Sequence, residues 1–404
     1  MPRGVTRVPL PLESYQNENK PKAKYLLSCS DANPMTSAEV LAMADPELKA
    51  LWDDLDLSYG DPWGSEILRR EVAKMHEVQV DQVLIHVPQG AIYIGLNVIV
   101  PYLSQKYDEK CIHIISCNPA YTVLNENPKH LDCDMDFWNG EFTDEGWKFD
   151  LNDMKSMVIN RTRLVIINFP QNPTGFCLSR DDYFDLIDFC RQHDIFIFSD
   201  EMYMFTNQRD WSPELPSVCT LYRESITLFG MSKTFGQPGL GIGWLISQNK
   251  GLLRRMMDYK DYLTNGSPRP SEVIATISLR NREKILKANL KIINKNLDIL
   301  DVFFDEFKDI FEWHRPHGGT MTLVKVKGWA AELGEKKGAS GFCQFAMDEG
   351  QIMLVPSHIF GIEDSFFRIG FGRKDLKDCV KALKAVLLKG KPQPLPPVQE
   401  EEST

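Results

Sequence analysis

No stretch of about 18–20 uninterrupted apolar residues, the length a bilayer-crossing helix needs, occurs in the 404-residue chain. The longest candidate, Ala91 to Leu103, is shorter and reads as a buried helix. The opening segment MPRGVTRVPLPLESYQNENKPKAK lacks the continuous apolar core of a secretory signal. Nine cysteines are present, an odd number, and no C-x-x-C pair occurs. That argues against a disulfide framework or a zinc knuckle and for reduced thiols in a cytoplasmic setting. The eight histidines form no H-E-x-x-H or clustered pattern, so no metal is expected. Positive charge is in deficit, with a net charge of −10 and no basic stretch interleaved with aromatics. Such a surface repels phosphate backbones, so no nucleic-acid partner is expected, and no membrane partner either. No internal repeat of fixed period is found.

What is present is an ordinary globular mixture, 43% hydrophobic and 25% charged. The length exceeds the roughly 250–300 residues at which one core stops growing, so two lobes are expected. Residues 1–25 are Pro- and Lys-rich and read as a flexible arm. Residues 26–270 read mainly as a large domain, with 26–50 open to joining the smaller one. Residues 271–390 read as a small domain, and 391–404, Pro-rich then acidic, as a disordered tail.

Short apolar runs alternate with helical patterns in the large domain. Strands are expected at Gln82–Val87, Cys111–Ser116, Arg163–Phe169, Ile195–Ser199, Ser225–Phe229 and Ile242–Ile246, and a helix from Arg180 to His193 after the N-cap Ser179. Alternation of this kind implies βαβ units and a mostly parallel α/β sheet. Beyond Pro270 the pattern becomes α+β: a charged amphipathic stretch over Ser271–Phe307, strand-like TMTLVKV, a helix over Gly341–Glu349, an apolar run over Gln351–Val355, FFRIGF, and a helix over Leu376–Leu388.

Ligands in open α/β sheets bind outside the carboxyl ends of the strands. The residues that follow each expected strand are therefore the informative ones: Pro88-Gln89-Gly90-Ala91, Asn118-Pro119-Ala120-Tyr121, Pro170-Gln171-Asn172-Pro173, Asp200-Glu201-Met202-Tyr203 and Gly230-Met231-Ser232-Lys233. A lysine amine, here Lys233, can form a Schiff base with an aldehyde. A buried carboxylate, here Asp200, can keep a pyridine nitrogen protonated and make the ring an electron sink. Asn172 and Tyr203 can steady a ring phenolate, and Tyr121 can stack on the ring face. A helix opened by Gly90-Ala91 can cradle a phosphate. These parts together describe one cofactor, pyridoxal 5'-phosphate.

The segments NPTG (Asn172–Gly175), SDEMY (Ser199–Tyr203) and SKTFGQPGLGIGW (Ser232–Trp244) resemble, in order and spacing, the fold-type I, class I/II aminotransferase family across roughly residues 55–375. The resemblance implies a large domain with a mostly parallel seven-stranded sheet flanked by helices, plus a smaller α+β domain. It implies transfer of an amino group between an L-amino acid and a 2-oxo acid through a Lys233 Schiff base, in a homodimer. Tyr59 in LSYGDPWG resembles the tyrosine that reaches the phosphate from the partner subunit. Arg368 in FRIGFG resembles the arginine that binds the substrate carboxylate, with Arg373 a nearby competitor; Ser232 resembles a phosphate donor. The head LSCSDANP and tail FRIGFGRKD loosely resemble the branch containing capreomycidine synthase, which acts on hydroxylated arginine. The alternative this implies is a lyase or cyclase using the same cofactor.

Two positions depart from the family pattern. Serine is usual three residues before the lysine, where this chain has Gly230, and arginine eight residues after it, where this chain has Gly241. The phosphate cup is thus expected to lack one hydroxyl and one cation, leaving Ser232, the Gly90-Ala91 amides, Tyr59 and Thr234. Weaker cofactor retention, or a substitute cation from elsewhere, is the consequence. A catalytically silent binding module is the third reading, opposed by the presence of Lys233, Asp200 and Asn172.

Overall fold

A computed structural model describes residues 9–207 and 215–392 of the chain. Thirteen strands occur among the described residues: β1 (Val83–His86), β2 (Ile112–Asn118), β3 (Cys133–Asn139), β4 (Glu141–Thr143), β5 (Gly146–Lys148), β6 (Thr162–Asn168), β7 (Phe196–Asp200), β8 (Ser225–Gly230), β9 (Gly243–Ile246), β10 (Phe311–Glu312), β11 (Met321–Val326), β12 (Val355–Pro356) and β13 (Phe366–Gly370). Seven of them form one sheet in the order β1-β9-β8-β7-β6-β2-β3. The pairs β2–β3, β2–β6, β6–β7 and β7–β8 are parallel, whereas β9 runs antiparallel to both β1 and β8.

The central strands are unbroken apolar runs because both faces of the sheet are covered. Helix Pro88–Tyr107 covers one face with Ile92, Leu96, Ile99 and Leu103. Helix Arg180–Gln192 covers the other with Tyr183, Leu186, Ile187 and Cys190. The latter starts where expected, since the Ser179 side chain accepts from the Asp182 amide. All the parallel strands end at the same edge, which brings Asn168, Asp200 and the turns beyond them into one line.

A second, four-stranded sheet in the order β10-β11-β13-β12 carries the smaller lobe. Its core is Phe304, Phe311, Phe342, Phe367 and Leu383. The charged amphipathic stretch divides at Asn281 into two helices, Arg269–Arg280 and Arg282–Glu306. The first half packs against the large sheet, through Ala275 and Leu279 beside Phe229 and Trp244, so the crossover into the small lobe lies beyond residue 271. Only the second half joins the small-lobe core.

The expected flexible arm is corrected by the structure. Pro11–Asn19 is a helix with proline in its first turn. Its Leu12 is buried against Met347, Met353, Val355 and Phe360, and the Tyr15 hydroxyl donates to the Leu354 carbonyl at 2.9 Å. Residues 1–8, and the expected tail from 393 onward, lie outside the described residues. Among the described residues no helix is long and apolar enough to cross a membrane.

Candidate active site

A cavity of about 310 Å³ opens at the carboxyl edge of β6, β7 and β8. Six of the expected residues line it: Tyr121, Asn172, Asp200, Tyr203, Ser232 and Lys233. Arg368 lines it too, reaching in from β13 of the small lobe. Residues that the sequence reading passed over complete the wall: Ser30, Gln89, Asn168, and Leu12, Glu13 and Gln16 of the N-terminal helix.

Asp200 ends β7 and is 3% exposed. Burial pushes its carboxyl up to about 7, against the opposing pull of the Met202 amide, which donates to Oδ1 at 3.1 Å, and of the nearby Lys233 charge. A carboxylate held this way favours a cationic ring N–H against it. Lys233 sits just past β8, and its Nζ donates to Ser30 Oγ at 3.1 Å, leaving its remaining valences for the cavity. Asn172 is fixed by its own amide, which donates to Asn168 Oδ1 at 2.9 Å, while Asn168 Nδ2 holds the Asp200 carbonyl at 2.8 Å.

Three buried side-chain atoms of cavity-lining residues have no hydrogen-bond partner: the Tyr203 hydroxyl, Arg368 Nε and Glu13 Oε2. Buried orphans of this kind carry a free-energy cost unless a ligand satisfies them. The first two are donors, and they fit a phenolate and a carboxylate respectively. Arg368 is 1% exposed, with Nη1 donating to Asn172 Oδ1 at 3.2 Å and Nη2 to the Ser28 carbonyl at 3.0 Å. The competitor Arg373 is bound to Asp31 through two hydrogen bonds, at 3.1 and 2.8 Å, and does not line the cavity. Tyr121 donates to Glu13 Oε1 at 2.9 Å, and burial, then the charge of Glu13, raises its phenol above the usual range.

The phosphate end differs from expectation in two ways. The Ala91 amide donates to the Val87 carbonyl at 2.8 Å, and Pro88 has no N–H. The amides left at this helix start are those of Gln89 and Gly90. Thr234 is also excluded, since its hydroxyl donates to the Met202 and Met204 carbonyls. Tyr59 is 84% exposed and stands outside this cavity, among the residues of the 264–270 segment. Within one chain, Ser232, Gln89 and Lys233 line this end of the cavity, whereas Gly90 and Ala91 do not.

The glycine at 230 has a packing reason. Gly230 pairs with Gly243 across β8 and β9, and the ring of Pro88 lies on this pair. A Cβ at 230 would come within 2.8 Å of Gly243 Cα and 3.2 Å of Pro88 Cγ. Gly241, in contrast, has open space around it, but at φ +62° it caps a turn in a conformation that side chains other than glycine adopt at a cost. The two departures thus have different origins: the first is steric, the second conformational.

The profile of the family described as aminotransferase class I and II matches residues 29–386, and the chain belongs to that family. It is 24% identical over 368 residues to capreomycidine synthase from Streptomyces vinaceus, covering 89% of this chain and 88% of that protein. It is 28% identical over 253 residues to a probable kynurenine–oxoglutarate transaminase from Saccharomyces cerevisiae, a match spanning 59% of this chain and 53% of that protein. Among solved structures, a PLP-dependent aminotransferase from Streptococcus suis superposes with a TM-score of 0.85 at 24% identity, over 96% of this chain and 100% of that one. The PLP-dependent cyclase OrfR superposes with a TM-score of 0.84 at 23% identity, over the same shares. The fold is that of the pyridoxal-phosphate aminotransferases, and pyridoxal phosphate is the cofactor that the family and this donor set indicate.

Two outcomes follow for variants. Gly230→Ser, designed to restore a phosphate-site hydroxyl, will lower the melting temperature and weaken cofactor retention, as read by thermal melts and a fluorescence titration with pyridoxal phosphate. Tighter binding with an unchanged melt would show that the space exists after all. The second concerns Asp200. Its folded value of about 7 exceeds the ordinary 3.8, so the folded, cofactor-free protein holds a proton that the unfolded chain has released. Stability of the cofactor-free protein therefore falls as pH rises through that window. Cofactor-free Asp200→Asn will melt above the wild type at pH 8, and the gap will close below pH 4. The reverse order at pH 8 would mean that the buried carboxylate stabilises the empty site.

Proposed function

We propose that the chain is an aminotransferase that moves an amino group between an L-amino acid and a 2-oxo acid. The observation that carries this reading is a single cavity that holds a lysine amine, a buried carboxylate and a deeply buried arginine, with no other lysine or arginine on its wall. Bound pyridoxal phosphate supplies an electron sink that acidifies the Cα–H of an attached amino acid. Lys233 is the amine that would hold the cofactor, and its free amine would be the base for the substrate Cα proton. Asp200 keeps the ring nitrogen protonated, because an ionised carboxylate in this buried position needs a cation beside it. Tyr203 and Asn172 would donate to the ring oxygen, Tyr121 would cover a ring face, and Ser232 with the Gln89 amide would receive the phosphate. Arg368 takes the α-carboxylate in a two-point grip, which orients the Cα–H bond for cleavage.

A cytosolic homodimer is the setting we propose. The exposed large apolar side chains Leu57, Tyr59, Tyr262 and Leu263 support it, and so do nine unbridged cysteines among the described residues. In such a dimer Tyr59 would reach the phosphate of the partner site and make good part of the deficit at Gly230 and Gly241.

A second outcome for the same chemistry is favoured by one observation. The match to capreomycidine synthase runs over 88% of that protein, whereas the match to the transaminase runs over 53%. The alternative is a lyase or cyclase acting on an arginine-like amino acid. Product analysis separates the two. Holoenzyme given amino acids, with and without 2-oxoglutarate, is expected to yield a keto acid only with the acceptor present, and Lys233→Ala is expected to lose at least about a thousandfold in rate. A cyclic or dehydrated amino acid formed without acceptor would replace transamination with the second outcome.

A further inference from the structure

Four charged side chains line the cavity: Glu13, Asp200, Lys233 and Arg368. Under the reading above, three of them have an assignment. Lys233 and Asp200 serve the cofactor, and Arg368 serves the α-carboxylate. Glu13 is left over. Its Oε1 accepts from the Tyr121 hydroxyl at 2.9 Å, but its Oε2 is shut from solvent with no partner. No ion pair joins Glu13 to Arg368, whose terminal nitrogens each donate once elsewhere, to Asn172 and to the Ser28 carbonyl, although the two charges act on each other across the cavity.

Glu13 is held in place by its element. The helix Pro11–Asn19 is pinned to the small lobe by Leu12 and by the Tyr15 hydroxyl, and the chain after it is tied down where the Tyr25 amide donates to the Gln351 carbonyl at 3.0 Å. Glu13 and Gln16 are three residues apart, so they share a helix face, and both line the cavity. A carboxylate with a sequestered free oxygen, beside a neutral amide acceptor, suits a multi-donor cation. An uncharged or acidic substrate side chain would leave that oxygen unsatisfied when the cavity fills.

We propose that Glu13 is the specificity residue of this site: it reads a cationic group, guanidinium or ammonium, at the far end of the substrate side chain, with Gln16 adding an acceptor. The proposal rests on the reading of the cavity as an amino-acid site. Arg368 and Glu13 then select for the two ends of one molecule, an α-amino acid with a basic side chain.

The test is a spectral titration of the cofactor-loaded full chain. The probes are arginine and its neutral isostere citrulline, lysine and its neutral counterpart norleucine, and alanine. Loss of a buried charge pair predicts that the wild type binds at least one cationic probe about 30-fold or more tightly than its neutral counterpart. The arginine and lysine arms tell guanidinium from ammonium. Glu13→Gln keeps an oxygen for the Tyr121 hydroxyl and removes only the charge. It is expected to bring the cationic and neutral probes within about threefold of each other, leaving citrulline and norleucine unchanged. A wild type that binds cationic and neutral probes equally would overturn the role of Glu13 while leaving the amino-acid site intact. So would a Glu13→Gln protein that keeps the preference. No spectral change with any of the five probes would overturn the amino-acid site and the Glu13 proposal together.

Discussion

A carboxylate shut away from water, at the end of the central strand of a parallel sheet, is the constraint around which this structure is arranged. Asp200 is almost wholly buried, and its carboxylate accepts only from the Met202 amide. Burying an ionised carboxylate with so little compensation is costly, and the cost appears as a pKa pushed up to about 7. The surrounding elements hold this arrangement rather than relieve it. Asn168 ties the Asp200 backbone to β6 and orients Asn172, Asn172 accepts from Arg368, and Arg368 is anchored on the Ser28 carbonyl. One chain of hydrogen bonds thus runs from the buried acid to the guanidinium that crosses from the small lobe. A bound pyridinium would set a second positive charge beside that of Lys233 and favour the ionised carboxylate.

The opposite end of the cavity shows how packing can override a functional preference. The Pro88 ring, the Gly230–Gly243 pair and the first turn of the following helix are in such close contact that no side chain fits at 230. The same proline removes one amide from the helix start. What remains for a phosphate is a small set of neutral donors and Lys233. The dimer proposed above would change that balance from outside, through an exposed Tyr59 that contributes nothing to its own chain's cavity.

Much of the site was legible because a parallel sheet converts sequence order into place. Each apolar run ends at the same edge, so Asn172, Asp200, Tyr203, Ser232 and Lys233 could be gathered from strand ends alone, and the structure brings them together. The N-terminal helix was not legible. PLESYQNEN is polar, short and carries one buried residue, Leu12, so its periodicity is too weak to distinguish a docked helix from an arm. Its partners, Tyr121, Leu354 and Phe360, lie more than a hundred residues away. Glu13 was missed for that reason. The Ala91 amide was misassigned by one residue's worth of helix register, since only the bond to Val87 reveals which amides are free. The split of the Ser271–Phe307 stretch at Asn281 likewise depends on which lobe each half finds, a tertiary matter that amphipathic spacing does not encode.

The account stands on the amine of Lys233 and the acid of Asp200 sharing one ring-sized space. Borohydride reduction of the full chain incubated with pyridoxal phosphate, followed by peptide mass spectrometry, tests this most directly. The expected result is a single phosphopyridoxyl adduct on Lys233, absent when that residue is replaced by alanine. Modification spread over surface lysines, with none at Lys233, would contradict it.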